Sequence, residues 1–200
     1  MNSAALFQAL GWLRERLANR VADPPRFENS YYPIICGMLT TAFPVENGFL
    51  VKPQCILRDS VSNHRGHHPH TSVDSFGDEV LPEKTLYGRS IEAQLLIPDY
   101  IVAEFTSNLT NDTIVCLVEI KTSPDPEELP VYEKQVKGYQ ASMKTKRQSP
   151  IATTLLCTGG ETSVWKRRPG PAKEWAKQAG AIETCGRPFW NILMDLASHA

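Results

Sequence analysis

Two carboxylic acids, Asp99 and Glu119, are spaced so that a hairpin would bring them together. They lie twenty residues apart, and their midpoint, Leu109, falls within TSNLTND (106–112), a segment with the composition of a turn. In a symmetric hairpin the two acids face each other with Cβ atoms about 5 Å apart, where like charges are destabilising. A divalent cation removes that repulsion, because magnesium binds one or two carboxylates and completes its octahedron with waters and phosphate oxygens.

A basic residue follows at Lys121, two positions after Glu119. The two-residue period of a strand places both side chains on one face, so the predicted site contains two acids and one cation. Val115 and Leu117 keep that face apolar until the strand end, where α/β sheets commonly place ligands. The opposite face carries residues suited to a core: Ile114, Cys116, Val118 and Ile120.

These residues resemble the PD-(D/E)xK phosphodiesterase superfamily, which includes many restriction, repair and recombination nucleases. Pro98-Asp99 supplies the PD motif, and Glu119-Ile120-Lys121 supplies ExK on the next predicted strand. Gln135 and Tyr139 add a QxxxY pattern that is similar to the RecB-type branch, and their spacing puts both on one helical face. The order and spacing of the three motifs carry the resemblance, which covers about residues 27–168.

The resemblance implies a restriction-endonuclease-like α/β core, with a mixed central β-sheet flanked by helices, and metal-dependent hydrolysis of phosphodiester bonds. It implies that Asp99 and Glu119 bind Mg²⁺ or Mn²⁺, with the main-chain carbonyl of Ile120 as a further ligand. Lys121 would position or polarise the attacking water. Such a site lowers the pKa of bound water and stabilises the charge that develops on the phosphate.

Three further residues enter through the same resemblance. Gln135 would orient the substrate or the metal-bound water, and Tyr139 would pack nearby. Many members carry an additional acidic ligand on an N-terminal helix, for which Glu28 in RFENSYYP is the candidate. Pro33 places Glu28 before or at the helix start, where an interaction with the helix dipole accounts for an acid equally well.

A histidine cluster offers a competing metal site. Its spacing matches no usual zinc pattern, its glycine and proline indicate a loop, and no cysteine is close. A solvated loop is therefore the favoured interpretation. A histidine joins the metal site in some cap-snatching viral endonucleases of the superfamily, so one of these four remains an alternative ligand: His64, His67, His68 and His70.

Charge is distributed unevenly along the chain. The formal net charge is −1, but residues 131–180 carry ten lysines and arginines against three acids, so this stretch is at +7 and the remainder at −8. A basic stretch beside an acidic site indicates either contacts to nucleic-acid phosphates or a plain solvated surface. The predicted substrate contacts are Tyr139, Lys144, Arg147, Lys166, Arg167 and Arg168.

Helical and strand-like patterns alternate in a way that predicts a mixed α/β sheet. Helices are expected over 4–21, with Ser3 as N-cap, over 31–43, from Tyr132 to Met143, and over 189–198. Strands are expected over 48–57, with Pro53 marking an edge, and over 90–105, 113–122, 151–157 and 162–167. The polar segment 58–84 reads as a long loop. We expect a single domain spanning 1–200, with the first helix and this loop as additions to its core.

The chain shows no apolar run long enough for a bilayer, no signal-type leader and five widely separated cysteines, which together favour a reducing, cytoplasmic or nuclear location. Three functions remain open: a nuclease acting on DNA, an RNA nuclease with the same site, and a catalytically silent nuclease-like binding module. DNA is the first expectation. The protein would act alone, as a homodimer or as a subunit of a larger complex.

Overall fold

The computed structural model describes residues 3–25, 27–54, 72–73, 79–80, 97–105, 112–122, 125–143, 148–168, 170 and 174–199. The helices are α1 (Ser3–Ala9), α2 (Gly11–Ala22), α3 (Tyr32–Ala42), α4 (Leu129–Ser142) and α5 (Arg187–His199). The strands are β1 (Phe49–Pro53), β2 (Ser72–Val73), β3 (Glu79–Val80), β4 (Tyr100–Glu104), β5 (Thr113–Lys121), β6 (Gln148–Thr158), β7 (Glu161–Arg167), β8 (Trp175–Lys177) and β9 (Ile182–Glu183).

Seven of these strands form one mixed, open sheet in the order β1-β4-β5-β6-β7-β8, with β9 also paired to β7. Only β5 and β6 run parallel, and α4 connects them, as a parallel crossover requires. All other pairs in the sheet are antiparallel. The mixed α/β sheet predicted from the sequence is therefore confirmed, and β1 is an edge strand as Pro53 indicated.

The two faces of the sheet are covered by different helices. The larger core packs one face against α1, α2, α3 and α5, and it includes Val118 and Ile120 of β5. The other face packs against α4, where Leu117 of β5 contacts a cluster that contains Tyr139. Side chains of β5 with the parity of Leu117, including Glu119 and Lys121, consequently lie on the α4 face.

Strand β5 contains an irregularity that interrupts the alternation of its side chains between the two faces of the sheet. Its register with β6 shifts between Ile114 and Cys116, and its register with β4 shifts at the same level. Val115 is thus an extra residue, and a bulge of this kind reverses the alternation beyond it. Ile114 accordingly packs with Leu117 on the α4 face, and Val115 packs with Cys116 in the larger core. The sequence-based assignments of Ile114 to the face of Cys116 and of Val115 to the face of Leu117 were therefore both wrong.

The N-terminal segment predicted as one helix over 4–21 is two helices. Leu10 separates α1 from α2 with φ −87° and ψ 12°, and Gly11, which follows, is a weak helix former. Ser3 begins α1, where its Oγ accepts a hydrogen bond from the Trp190 indole at 3.1 Å. That bond fixes α1 against α5.

The remaining predicted helices and strands are present with shifted ends in the part of the chain that is described. Of the predicted strands 48–57 and 90–105, the residues 55–57 and 90–96 lie outside the described residues. The predicted loop 58–84 lies outside the described residues except for β2 and β3, which pair with each other. Four strands were not predicted from the sequence, because each has no more than three residues: β2, β3, β8 and β9. Among the described helices, none combines the length and apolar character needed to cross a bilayer.

Trp190 and Trp12 provide a matched test of this packing. Trp190 is fully buried in the larger core, whereas Trp12 on α2 is 58% exposed. We predict that Trp190→Ala lowers the free energy of unfolding by about 3–5 kcal/mol, while Trp12→Ala changes it by about 0.5 kcal/mol or less. Urea unfolding followed by far-UV circular dichroism measures both. Equal effects would contradict the placement of α5 in the core.

Candidate active site

The structure brings Asp99 and Glu119 together at one end of β4 and β5. Tyr100 is paired with Val118, and extending this register by one residue places Asp99 opposite Glu119. Their exposed fractions are 8% and 2%, so both carboxyl groups lie out of bulk water. The spacing argument from the sequence anticipated this opposition.

Asp99 is held by two donors from different elements. Its Oδ2 accepts a hydrogen bond from the Ile120 N–H at 2.6 Å, and its Oδ1 accepts one from the Tyr32 hydroxyl. Tyr32 begins α3, so this bond fixes the helix to the acidic end of the sheet. Each oxygen of the Asp99 carboxylate is therefore held by a different element, one by β5 and the other by α3.

Pro98 explains why the Ile120 carbonyl receives no hydrogen bond from the residue opposite it. The register that pairs Tyr100 with Val118 places Pro98 opposite Ile120, and proline has no N–H to donate to the ladder. The Ile120 N–H donates to the Asp99 carboxylate, which shows that this side of Ile120 faces Asp99. In a strand the N–H and C=O of one residue point to the same side, so the Ile120 carbonyl is directed toward Asp99 without a donor from Pro98.

Glu119 is also fixed through both oxygens. Its Oε1 lies 2.8 Å from the Lys121 ammonium, and its Oε2 accepts a hydrogen bond from the Tyr139 hydroxyl at 3.0 Å. The Gln135 amide donates to the Tyr139 hydroxyl oxygen. The two residues of the QxxxY pattern thus form a chain, in which Gln135 orients Tyr139 and Tyr139 contacts Glu119.

Lys121 lies between two carboxylates. Besides Glu119 it contacts Glu28, whose Oε1 is 3.3 Å from the ammonium. Glu28 belongs to a short 3₁₀ helix, Glu28–Ser30, just before α3. The Tyr132 ring of α4 lies 5.5 Å from the same ammonium. Glu28 is therefore close to the site, where its observed contact is to Lys121.

Burial and mutual repulsion disfavour the charged forms of both acids. Loss of solvent, followed by the nearby Asp99 carboxylate, raises the pKa of Glu119 to about 7. Burial also raises the pKa of Asp99 above its ordinary value, although the hydrogen bonds from Tyr32 and Ile120 oppose this. Burial alone would lower the pKa of Lys121, but Glu119 and Glu28 outweigh it and the net shift is upward.

The donor set can be compared with what a divalent ion requires. Among the described residues, no three His, Cys, Asp or Glu side chains form an arrangement that could hold a metal ion. The assignment of Glu28 as a further ligand stays a prediction, because its observed contact is to Lys121. Two carboxylates and a carbonyl remain, and this hard oxygen set suits magnesium, which takes one or two carboxylates and keeps several waters.

Tyr32 is the site residue that the sequence analysis missed. Its ring packs edge-on against Tyr100, with centroids 5.9 Å apart, and its hydroxyl reaches Asp99. A signal was available, because Tyr32 follows Glu28 by four residues and directly precedes Pro33, which is typical of the first turn of a helix. Aromatic residues at such a position are more often core residues, so the signal was weak.

Three of the predicted basic contacts, Lys166, Arg167 and Arg168, lie in the described part of the chain, and they do not converge on this site. Lys166 and Arg167 are consecutive in β7 and point to opposite faces. Arg167 donates to the main-chain carbonyl of Ser149 at 3.0 Å, and Arg168 lies 3.8 Å from Glu174. By register, Ser163 is the β7 residue level with Glu119, so Arg167 is about 13 Å further along the strand. Lys144 and Arg147 lie outside the described residues.

Comparison with models of protein families, with curated proteins and with solved structures finds no match.

The raised pKa of Glu119 has a measurable consequence for stability. Between its ordinary value of 4.5 and about 7, the folded state holds a proton that the unfolded chain releases. Stability must then fall as pH rises through this window. We predict that Glu119→Gln removes a slope of up to about 1.4 kcal/mol per pH unit.

Urea unfolding in EDTA between these pH values measures that slope. Glu104→Gln, at the opposite end of β4, is the matched control and should keep the wild-type slope. Parallel curves for wild type and Glu119→Gln would show that Glu119 is not the group that retains the proton.

Proposed function

We propose that this protein is a metal-dependent nuclease of the PD-(D/E)xK type, which hydrolyses phosphodiester bonds. The observation that carries the proposal is the placement of two buried carboxylates, Asp99 and Glu119, opposite each other at a strand end with the Lys121 ammonium 2.8 Å from Glu119. The arrangement provides an oxygen-rich cation site and a positive group beside it.

A purely structural ion network explains this arrangement less well. Three acids lie near a single cation, Lys121: Glu28, Asp99 and Glu119. If all four side chains were ionised, this cluster would carry a net negative charge. Buried charges that lack partners cost stability, and an apolar pair at this strand end would avoid that cost. Strongly perturbed acids next to a fixed cation are typical of functional sites.

Asp99, Glu119 and the Ile120 carbonyl are the groups that would hold Mg²⁺ or Mn²⁺. When bound, the ion would supply a water of lowered pKa and stabilise charge on the phosphate. Strands rather than loops position these three groups, because all three belong to β5 or directly precede β4. Tyr32 and the Ile120 N–H fix Asp99, and Tyr139 fixes Glu119.

Lys121 acts as a positive donor in this proposal. Its ammonium lies 2.8 Å from Glu119 and 3.3 Å from Glu28, and nearby carboxylates keep such a group protonated. It cannot then accept a proton from water. Its role is to orient the attacking water by donating a hydrogen bond and to offset negative charge on the phosphate. Glu28 also contacts the ammonium and helps to restrain it.

The element order supports the finer assignment to a restriction-endonuclease-like core. PD precedes β4, ExK ends β5, QxxxY lies in α4, and β6 follows parallel to β5. This is the order in which the superfamily presents its motifs. DNA is the first substrate to test and RNA the second, and both must be tested because the proposed chemistry acts on the phosphodiester, which the two share.

We predict that Asp99→Ala, Glu119→Ala and Lys121→Ala each reduce cleavage on the order of 10²- to 10³-fold, the loss expected when one group that stabilises a developing charge is removed. Supercoiled DNA, linear DNA and RNA are incubated with magnesium, manganese or EDTA, and products are separated on gels.

Glu104→Ala is the control, because it removes an acid from the other end of β4 and should cleave like wild type. Far-UV circular dichroism verifies that each variant is folded. Wild-type rates in all three site variants would show that the site is assigned wrongly. A wild-type protein that cleaves no substrate would instead support the silent binding module.

A further inference from the structure

The Tyr32 hydroxyl, which donates a hydrogen bond to Asp99, is itself held by a residue outside the predicted motifs. The side chain of Gln54 is hydrogen-bonded to this hydroxyl. A tyrosine hydroxyl has one proton, and Tyr32 gives that proton to Asp99, so it can only accept from Gln54. The Gln54 amide is therefore the donor, and the three residues form a chain from Gln54 through Tyr32 to Asp99.

The second acid of the site is held by a chain of the same composition. The Gln135 amide donates to the Tyr139 hydroxyl, and Tyr139 donates to Glu119. Each carboxylate thus receives a hydrogen bond from one tyrosine hydroxyl, and each hydroxyl receives one from a glutamine amide. The QxxxY chain belongs to α4. In the other chain, Tyr32 belongs to α3 and Gln54 directly follows β1.

The sheet places Gln54 beside Asp99. Pro53 ends β1 and pairs with Tyr100, so Gln54 is level with Asp99, and its N–H donates to the Asp99 main-chain carbonyl at 2.8 Å. The φ of Gln54 is 45°, a left-handed conformation that costs energy for residues with a Cβ. Strained backbone of this kind is concentrated at functional sites, and here it occurs in a residue that contacts Asp99 and Tyr32.

Tyr32 is bonded to two consecutive residues of the chain. Its hydroxyl donates to the Asp99 side chain, and its main-chain carbonyl accepts a hydrogen bond from the Tyr100 hydroxyl at 3.1 Å. Tyr100 is buried and packs edge-on against the Tyr32 ring. These contacts fix the Tyr32 hydroxyl relative to the Asp99 carboxylate.

We propose that Gln54 and Tyr32 are positioning residues that set the affinity of the site for a divalent cation, by holding Asp99 as the QxxxY residues hold Glu119. They act through Asp99 and do not themselves bind the ion. Hydrogen-bond partners behind a metal ligand typically change metal affinity 10- to 100-fold. The choice of a divalent cation rests on the proposed nuclease function, and the new assignment is that Gln54 and Tyr32 complete its site.

Binding of Mn²⁺ alone, measured by isothermal titration calorimetry, tests this proposal without nucleic acid. We expect Tyr32→Phe, which keeps the ring against Tyr100 and removes only the hydroxyl, to weaken Mn²⁺ binding by about tenfold or more. Gln54→Gly should weaken it by a smaller factor, because Tyr32 still contacts Asp99. Glycine adopts a positive φ without strain, so Gln54→Gly should leave the Tm in EDTA unchanged or higher. A lower affinity in that variant would not come from a loss of folding.

Tyr31→Phe is the matched control. Within the described residues, the Tyr31 hydroxyl contacts the main-chain carbonyls of Arg20 at 3.3 Å and Thr122 at 3.4 Å. It lies at the same end of the sheet without holding an acid, so Tyr31→Phe should bind Mn²⁺ like wild type. Wild-type affinity in Tyr32→Phe, or an equal loss in Tyr31→Phe, would overturn the proposal. Wild-type affinity in Gln54→Gly would remove Gln54 from it.

Cleavage provides a second measurement. With Tyr32→Phe, half-maximal cleavage should require about tenfold more Mg²⁺, and the rate at saturating Mg²⁺ should recover, because the hydroxyl holds a ligand and does not touch the substrate. A rate that stays low at saturating Mg²⁺ would contradict a role in metal affinity.

The two proposals fail separately. If wild type cleaves nothing but binds Mn²⁺ in a way that depends on Tyr32, the positioning proposal stands and the nuclease proposal falls. If cleavage depends on Asp99 while Mn²⁺ affinity ignores Tyr32 and Gln54, only the positioning proposal falls.

Discussion

The opposition of two buried carboxylates, Asp99 and Glu119, is the constraint on which this end of the molecule depends. Like charges placed directly across a strand pair repel, and burial strengthens the effect by removing water. The surrounding residues compensate in part: Lys121 contacts Glu119, and the Ile120 N–H contacts Asp99. We propose that a divalent cation offsets the charge imbalance that remains.

The elements around this pair can be understood from that constraint. The first turn of α3 supplies the hydroxyl that fixes Asp99, through Tyr32, and α4 supplies the hydroxyl that fixes Glu119, through Tyr139. The two helices pack on opposite faces of the sheet, so each acid is oriented from a different layer. Pro98 leaves the Ile120 carbonyl without a ladder donor, and this adds an oxygen where a cation would need one.

Much of the sheet and of the site could be predicted from the sequence, because alternation and motif spacing are local properties. The opposition of Asp99 and Glu119 could be predicted because it depends only on one turn and the two strands beside it. The bulge at Val115 could not be predicted, because an inserted residue changes pairing without changing composition. The placement of Lys166 and Arg167 on opposite faces of the sheet was not predicted either, because the summed charge of a segment does not depend on which face each side chain occupies. The single domain, the metal and the catalytic activity stay predictions.

The most direct test of the account is the effect of magnesium on thermal unfolding of wild type and Asp99→Ala. A ligand that binds only the folded state stabilises it by about 2.7 kcal/mol at about 100 times its dissociation constant. The account predicts that Mg²⁺ or Mn²⁺ raises the Tm of wild type above its value in EDTA and that Asp99→Ala loses this response. An equal rise of Tm in both proteins would place the metal elsewhere and contradict the account.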